Sequence, residues 1–180
     1  MYRCRLLYVY EIRAATIEDV PALVEFGAAY VPSFYAPIIG EKAAAAFLEW
    51  WSENYFNQAI NGKNVFVAVA PAEDRAANTA ERIVGVAEWG THEGQPVLWR
   101  LYVAPDLRSR GLGAQLLQQI IAALPEGSKT LLTEHVGGNL RAAAFYEREG
   151  FKLLRRDAHA SGDTNRDTVW REKQLANLEA

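Results

Sequence analysis

The segment that most limits what this chain can fold into spans residues 101–124. A β-type run, Leu101-Tyr102-Val103, is followed by Pro105-Asp106, a basic glycine-containing turn, and the apolar series Leu112, Leu116, Leu117, Ile120, Ile121 and Leu124. Those apolar residues recur at the helical period, so the segment reads strand, turn, helix. The turn itself is Arg108, Ser109, Arg110, Gly111, Leu112 and Gly113. Two glycines let backbone approach an anion closely, the free N–H groups of a helix start point at it, and arginines add charge-assisted hydrogen bonds. The helix end contributes roughly 0.3–1 kcal/mol and each charged hydrogen bond roughly 1.5–3, so hydrogen bonds dominate. The turn is not a dinucleotide fingerprint, because Gln115 and Leu116 stand where its third glycine should fall. It is not a Walker loop either, since no Gly-Lys-Ser/Thr closes it. Taken alone it supports a phosphate or pyrophosphate site, with a helix start bearing solvated arginines as an even alternative.

The rest of the chain arranges strands and helices around this unit. Residues 6–13 read as a strand, and Thr16, Glu18 and Asp19 open a helix carrying Ala22, Leu23, Phe26 and Tyr30, which Pro32, Tyr35 and Pro37 should turn into a loop with aromatic tips. Residues 41–60 read as a broken, aromatic helical segment ended by Asn61-Gly62. Strands are expected over 64–70, 82–89 and 97–103, with a polar loop tip between Pro71 and Glu81 and a turn over 90–96. Further strands are expected over 129–135, 151–155 and 166–173, with a short helix over 139–149. With 180 residues, 50% of them hydrophobic, and no linker or repeat, residues 1–180 read as one domain.

A second pattern falls in the short helix. Asn139, Ala142, Ala143 and Tyr146 are spaced i, i+3, i+4 and i+7, which lines up a polar group, a small-residue floor and a phenol on one face. Two turns, roughly 10 Å, separate the ends, enough to follow an extended arm. Read without the first pattern, Tyr146 is a core tyrosine and the alanines are ordinary helix formers.

Together, the stretch from Leu101 to Gly113 and the stretch from Asn139 to Phe151 resemble the two motifs of the GNAT N-acetyltransferase superfamily. Arg108, Gly111 and Gly113 match its Gln/Arg-x-x-Gly-x-Gly/Ala turn, and Asn139, Ala142, Phe145, Tyr146, Gly150 and Phe151 match Asn-x-x-Ala-x-x-Phe/Tyr-Tyr followed by Gly-Phe. The resemblance covers most of the chain. It implies an α/β (α+β) fold whose central mixed, mostly antiparallel sheet of about six to seven strands is flanked by about four helices. It also implies acetyl-CoA as co-substrate. The turn would wrap its pyrophosphate, Leu101, Tyr102 and Val103 would pair with the pantetheine arm and acetyl carbonyl, and Tyr146 would be the general acid.

Acyl transfer to an amine further needs a neutral nucleophile. A lysine-like group is neutral in only about one part in 2,500 at pH 7, an α-amino group in about one in ten, so a base or desolvation is required. Glu88, on the strand before the motif, is the first choice as base, followed by Glu93, Glu134 and His135. The acceptor is expected among Tyr30, Phe34, Tyr35, Trp50, Trp51, Tyr55 and Phe56, with Trp89 and His92 opposite, two or three of these forming the pocket. It would be a small-molecule or peptide amine. The alternative is a non-catalytic acyl-CoA-binding or regulatory module on the same fold.

Several classes are disfavoured. The net charge of −3 argues against a nucleic-acid partner. His92, His135 and His159 lie far apart and form no His-x-x-x-His pair, which argues against a metal. A lone Cys4 excludes an internal disulfide and fits a reducing compartment. The run Leu6-Leu7-Tyr8-Val9-Tyr10 is short for a signal peptide, and no apolar stretch appears long enough to span a bilayer, so a cytoplasmic location is expected. Homodimerisation is compatible with the aromatic content, though no segment specifies an interface.

Overall fold

A computed structural model describes residues 10–70 and 82–175. Seven strands form one sheet in the order β1-β2-β3-β4-β5-β7-β6. They are β1 (Glu11–Ala14), β2 (Val65–Val69), β3 (Ile83–His92), β4 (Gln95–Val103), β5 (Thr130–Val136), β6 (Lys152–Asp157) and β7 (Thr168–Gln174). All neighbours are antiparallel except β4 and β5. The helices are α1 (Val20–Ile39), α2 (Glu41–Ala46), α3 (Glu53–Ala59), α4 (Leu112–Ala123) and α5 (Leu140–Arg148). The expected mixed, mostly antiparallel α/β arrangement is therefore present. The loop expected over 71–81 and the start of the first expected strand, up to residue 9, lie outside the described residues.

Local sequence accounts for most of these elements. Every residue of β2 is buried, as its uninterrupted Val-Phe-Val-Ala-Val run requires. Leu112, Leu116, Leu117 and Ile120 form the buried stripe of α4. Ser52 caps α3 by accepting the Tyr55 N–H at 3.3 Å, so the aromatic segment 41–60 breaks into α2, a 3₁₀ turn over Phe47–Trp51, and α3.

Two boundaries depart from the sequence reading. The turn expected over 90–96 shrinks to Glu93-Gly94, whose φ values of 50° and 79° suit a two-residue hairpin, and pairing continues through His92 and Gln95. Gly90 is a packing residue instead: a Cβ there would lie 2.7 Å from the Trp99 indole nitrogen.

The second departure is larger. Pro32 and Pro37 do not end the first helix, and α1 runs on to Ile39. A proline inside a helix costs about 3 kcal/mol, partly by orphaning the carbonyl four residues earlier. Here those carbonyls belong to Ala28 and Ser33, both exposed, so water can satisfy them. The continued turns also place Phe34 in a stack with Tyr102, ring centres 5.9 Å apart, and bring the Tyr35 hydroxyl 2.9 Å from that of Tyr102. Because the helix is continuous, Ile17–Ile39 forms a helical stretch of 23 residues, hydropathy 1.3, long and apolar enough to cross a bilayer by length and composition. That corrects the expectation that no stretch reaches this length. In this fold the helix packs into the core through Val20, Leu23, Phe26 and Val31.

The helix meets the Phe47–Trp51 turn at Gly27, where an added Cβ would lie 2.6 Å from the Trp51 ring. Trp51 is itself held against Phe26 and Phe56, so it cannot yield cheaply. Gly27→Ala is expected to destabilise the protein by about 1–3 kcal/mol through overpacking, read as a lower urea midpoint at unchanged slope.

Candidate active site

β4 and β5 run side by side only at Val97 with Leu132 and Leu98 with Thr133. The buried Thr133 hydroxyl donates to the Leu98 carbonyl at 3.0 Å, and immediately afterwards Trp99 bulges out of the β3–β4 ladder, which pairs Glu88 with Arg100 but Trp89 with Leu98. Beyond the bulge β4 pairs with β3 alone among the described strands. A parting of parallel strands leaves backbone N–H and C=O groups of Leu101 to Val103 able to pair with an extended ligand.

A cavity of about 990 Å³ opens at this parting. Leu101, Tyr102 and Val103 line it together with Arg108, Ser109, Gly111, Leu112 and Gly113, and across from them Asn139, Ala142 and Tyr146. Of the residues expected to hold the co-substrate, only Arg110 is not in the lining. Ser109 and Gly111 adopt left-handed backbone, with φ values of 62° and 85°, which turns the chain into the first turn of α4. Arg108 is fixed from two sides: Nε reaches the Val103 carbonyl at 3.4 Å, and the guanidinium lies 4.2 Å from the Phe34 ring centre. Burial, with Arg141 nearby, disfavours its charge, as expected where cations are gathered for an anion. Gly113 lets the start of α4 close on the middle of α5, since a Cβ there would lie 3.2 Å from the Phe145 ring.

Asn139 has a local duty that the spacing argument did not assign. Its side chain caps α5 by accepting the Ala142 N–H at 3.1 Å, so its carbonyl oxygen is engaged in the helix start.

Comparisons with known proteins show the family and the fold. Residues 61–153 match the family described as Acetyltransferase (GNAT) domain. The chain belongs to the GNAT acetyltransferase family. It is also 33% identical, over 134 residues covering 72% of this chain and 82% of the relative, to the [Ribosomal protein bS18]-alanine N-acetyltransferase of Salmonella typhimurium. Among solved structures its fold is similar to the PaiA N-acetyltransferase of Thermoplasma acidophilum in complex with coenzyme A, at TM-score 0.72 and 22% identity over 93% of this chain and 99% of that one. Ard1 of Thermoplasma volcanium shares the fold at TM-score 0.67 and 12% identity, covering 93% and 98%.

In this GNAT chain a second cavity, of about 440 Å³, adjoins the first and shares Tyr35, Trp99, Tyr102, Glu134 and His135 with it. Its remaining walls include Phe47, Trp50, Trp51, Tyr55 and Arg100. Four of the aromatics expected around the acceptor, Tyr35, Trp50, Trp51 and Tyr55, are therefore together, more than the two or three anticipated. Phe34 lines the larger cavity, whereas Tyr30, Phe56, Trp89 and His92 line neither. Tyr30 is absorbed into stacks with Phe26 and Phe34, and His92 stacks on Trp170 at 5.2 Å.

Glu88 does not meet the expectation of a base. It is buried, forms an ion pair with Arg100, accepts the Tyr55 hydroxyl at 2.5 Å, and lines neither cavity. A carboxylate so engaged is stabilised in its charged form and has no free path to an amine. His135 is likewise committed: Arg171 Nε donates to its Nε2 at 3.0 Å, so the proton must sit on Nδ1, which donates to the Val136 carbonyl at 2.9 Å. Burial pushes its pKa down, and the ring is neutral with both nitrogens used. Glu93 sits in the hairpin turn. Glu134 faces both cavities, and burial raises its carboxyl pKa despite His92 and Arg155, with Asp157 adding to the rise.

Tyr146 is 7% exposed and packed against Phe145, Phe151 and the His135 ring. Burial pushes its pKa up to about 12, so it stays protonated through the neutral and mildly alkaline range. Trp99, Phe47, Arg100 and Thr168 are among the lining residues that the sequence reading did not assign to the site. The bulge that exposes Trp99 has no local signal, because it depends on where β3 and β5 pull β4 apart.

With Glu134 as the base, its raised pKa would move the acid limb of a rate profile to higher pH, because the carboxylate is lost by protonation as pH falls. The kcat/KM profile is expected to break above the ordinary glutamate range near 4.5, and Glu134→Gln should remove that break and lower the plateau. An unchanged acid limb in the variant would exclude Glu134 as the base.

Proposed function

We propose that this GNAT acetyltransferase, acting as one domain, moves an acetyl group from acetyl-CoA to a primary amine by direct attack within a ternary complex. The observation that carries the reading is the meeting of two cavities at one place: the larger joins the Arg108–Gly113 turn to Tyr146, and the smaller reaches it at Glu134. The Arg108 side chain and the N–H groups at the start of α4 suit the pyrophosphate, and the open edge of Leu101 to Val103 suits the amide-bearing arm. Ala142 leaves room beside that arm, and Tyr146 stands at the reacting end.

The amine must lose a proton and the leaving thiolate must gain one. Glu134, directly or through water, takes the proton as the C–N bond forms, and Tyr146 gives its own as the C–S bond breaks. The net change is amine plus thioester to amide plus thiol. A tyrosine with a pKa of about 12 is a weaker acid than one at the reference value of about 10, so full transfer to an ordinary thiolate of pKa about 8.5 would be uphill. The burial that raises Tyr146 also disfavours a thiolate beside it, which narrows the gap, and a hydrogen bond to the developing charge does the rest. A lysine-like amine gains from the anionic Glu134, whereas an α-amino group needs less help because about one in ten is already neutral. The family relative from Salmonella typhimurium is named for an alanine of a ribosomal protein, which makes a peptide amine one member of the acceptor class to test.

Tyr146→Phe keeps the ring and loses the proton. It is expected to retain acetyl-CoA binding in a thermal-shift titration and to lower kcat by about 10²–10⁴-fold in a thiol-release assay. Unchanged turnover removes Tyr146 from the acid role. Thiol release that no amine stimulates, with acetyl-CoA binding intact, would favour the non-catalytic acyl-CoA module. Arg108→Ala should weaken acetyl-CoA binding by roughly 10–100-fold, as the loss of one charged hydrogen bond implies.

A further inference from the structure

The walls of the smaller cavity have spent most of their polar groups on one another. Tyr55 donates its hydroxyl to Glu88, the Tyr35 and Tyr102 hydroxyls bond to each other at 2.9 Å, and Arg100 pairs with Glu88 while giving NH2 to the Trp50 carbonyl at 2.6 Å. The Arg100 guanidinium also lies 4.3 Å from the Tyr55 ring centre, sandwiching its charge between an acid and a π-face. Both nitrogens of His135 are occupied. What remains for a ligand is ring surface from Phe47, Trp50 and Trp51, indole N–H groups, the Thr168 hydroxyl, and one carboxylate, Glu134.

From this pattern we infer that the smaller cavity selects an amine carried on a single apolar, ring-sized body with no second charge. The inference rests on the acetyl-transfer reading above and narrows its acceptor. The Arg100–Glu88 pair is neutral as a unit, so the charge the lining offers a ligand is the Glu134 carboxylate, near which Arg155 is the opposite charge and which attracts one ammonium. A polyamine would bring a second ammonium into ring surface with no anion to meet it. A polyhydroxylated amine would surrender water to walls whose side-chain acceptors are mostly engaged, and each unrecovered hydrogen bond weakens binding. A ring, by contrast, gains from burial against Trp50, Trp51 and Phe47, and the 440 Å³ cavity is at the small end of ligand sites. Trp50 is the exposed wall, with 57% of its surface accessible, and it lines only this cavity. It can therefore be changed without touching the co-substrate site or the core.

The test compares thiol release from acetyl-CoA with 2-phenylethylamine, tryptamine, n-butylamine, spermidine, an aminoglycoside and an alanine-initiated peptide. The expected result is a kcat/KM at least tenfold higher for the ring amines than for any other acceptor. Trp50→Ala should raise KM for 2-phenylethylamine about tenfold, Trp50→Phe should recover most of it, and acetyl-CoA affinity by thermal shift should stay unchanged in both. Better turnover of spermidine, the aminoglycoside or the peptide overturns the inference and leaves acetyl transfer standing. If no amine is turned over, calorimetric titration of the CoA-bound protein decides: 2-phenylethylamine binding tenfold tighter than spermidine, and weakened by Trp50→Ala, sustains the selectivity while the transfer reading fails. Equal or weaker binding overturns the selectivity as well.

Discussion

Everything at the active site depends on the parting of β4 from β5. Parallel strands normally keep pairing for their whole length, because each unpaired backbone group sheltered from water costs free energy. Here the pairing stops after Leu98 and Thr133, and the Thr133 hydroxyl ties β5 to the Leu98 carbonyl just where β4 bulges at Trp99. The bulge redirects one edge of β4 toward a cavity, and the start of α4 packs against α5 at Gly113 beside it. In the acetyl-transfer reading the sheet would supply backbone hydrogen bonds, the helix start an anion site and α5 a phenol. No one of these elements would make a site by itself.

A buried polar network then separates structural from chemical charge. Glu88 and Arg100 face each other across the β3–β4 ladder and are closed off by Tyr55 and the Trp50 carbonyl, so they hold the Phe47–Trp51 turn against the sheet. Removing either partner would leave a buried charge without compensation, which is far more costly than losing an exposed pair. Glu134, two strands of sequence later, carries the opposite assignment. It keeps one carboxylate open to both cavities, with burial making it a stronger base. Two glutamates on the same sheet thus differ in availability, because one is locked in a buried ion pair and the other faces the cavities.

The signals that were legible in the sequence were those with a local physical origin. The apolar stripe of α4, the continuous β2 run and the paired glycines of the turn act over a few residues, and each appears where its spacing indicates. The helical spacing of Asn139, Ala142 and Tyr146 likewise corresponds to three residues that line one cavity together with the Arg108–Gly113 turn. Proline was the misleading signal. Its local preference to stop a helix is real, but Pro32 and Pro37 orphan carbonyls that face water, and the aromatic contacts of Phe34 and Tyr35 favour the continued turns.

The sequence by itself determined the strand–turn–helix unit, the second motif on α5 and the family they signal, because these rest on backbone conformation and helical spacing within short segments. Tertiary structure decided which acid is free. Whether Glu88 or Glu134 can serve as a base depends on Arg100, twelve residues from Glu88 in sequence but adjacent in the ladder, and on a bulge fixed by two neighbouring strands. Charge compensation and burial are properties of groups gathered from distant parts of the chain, and only the fold assembles them.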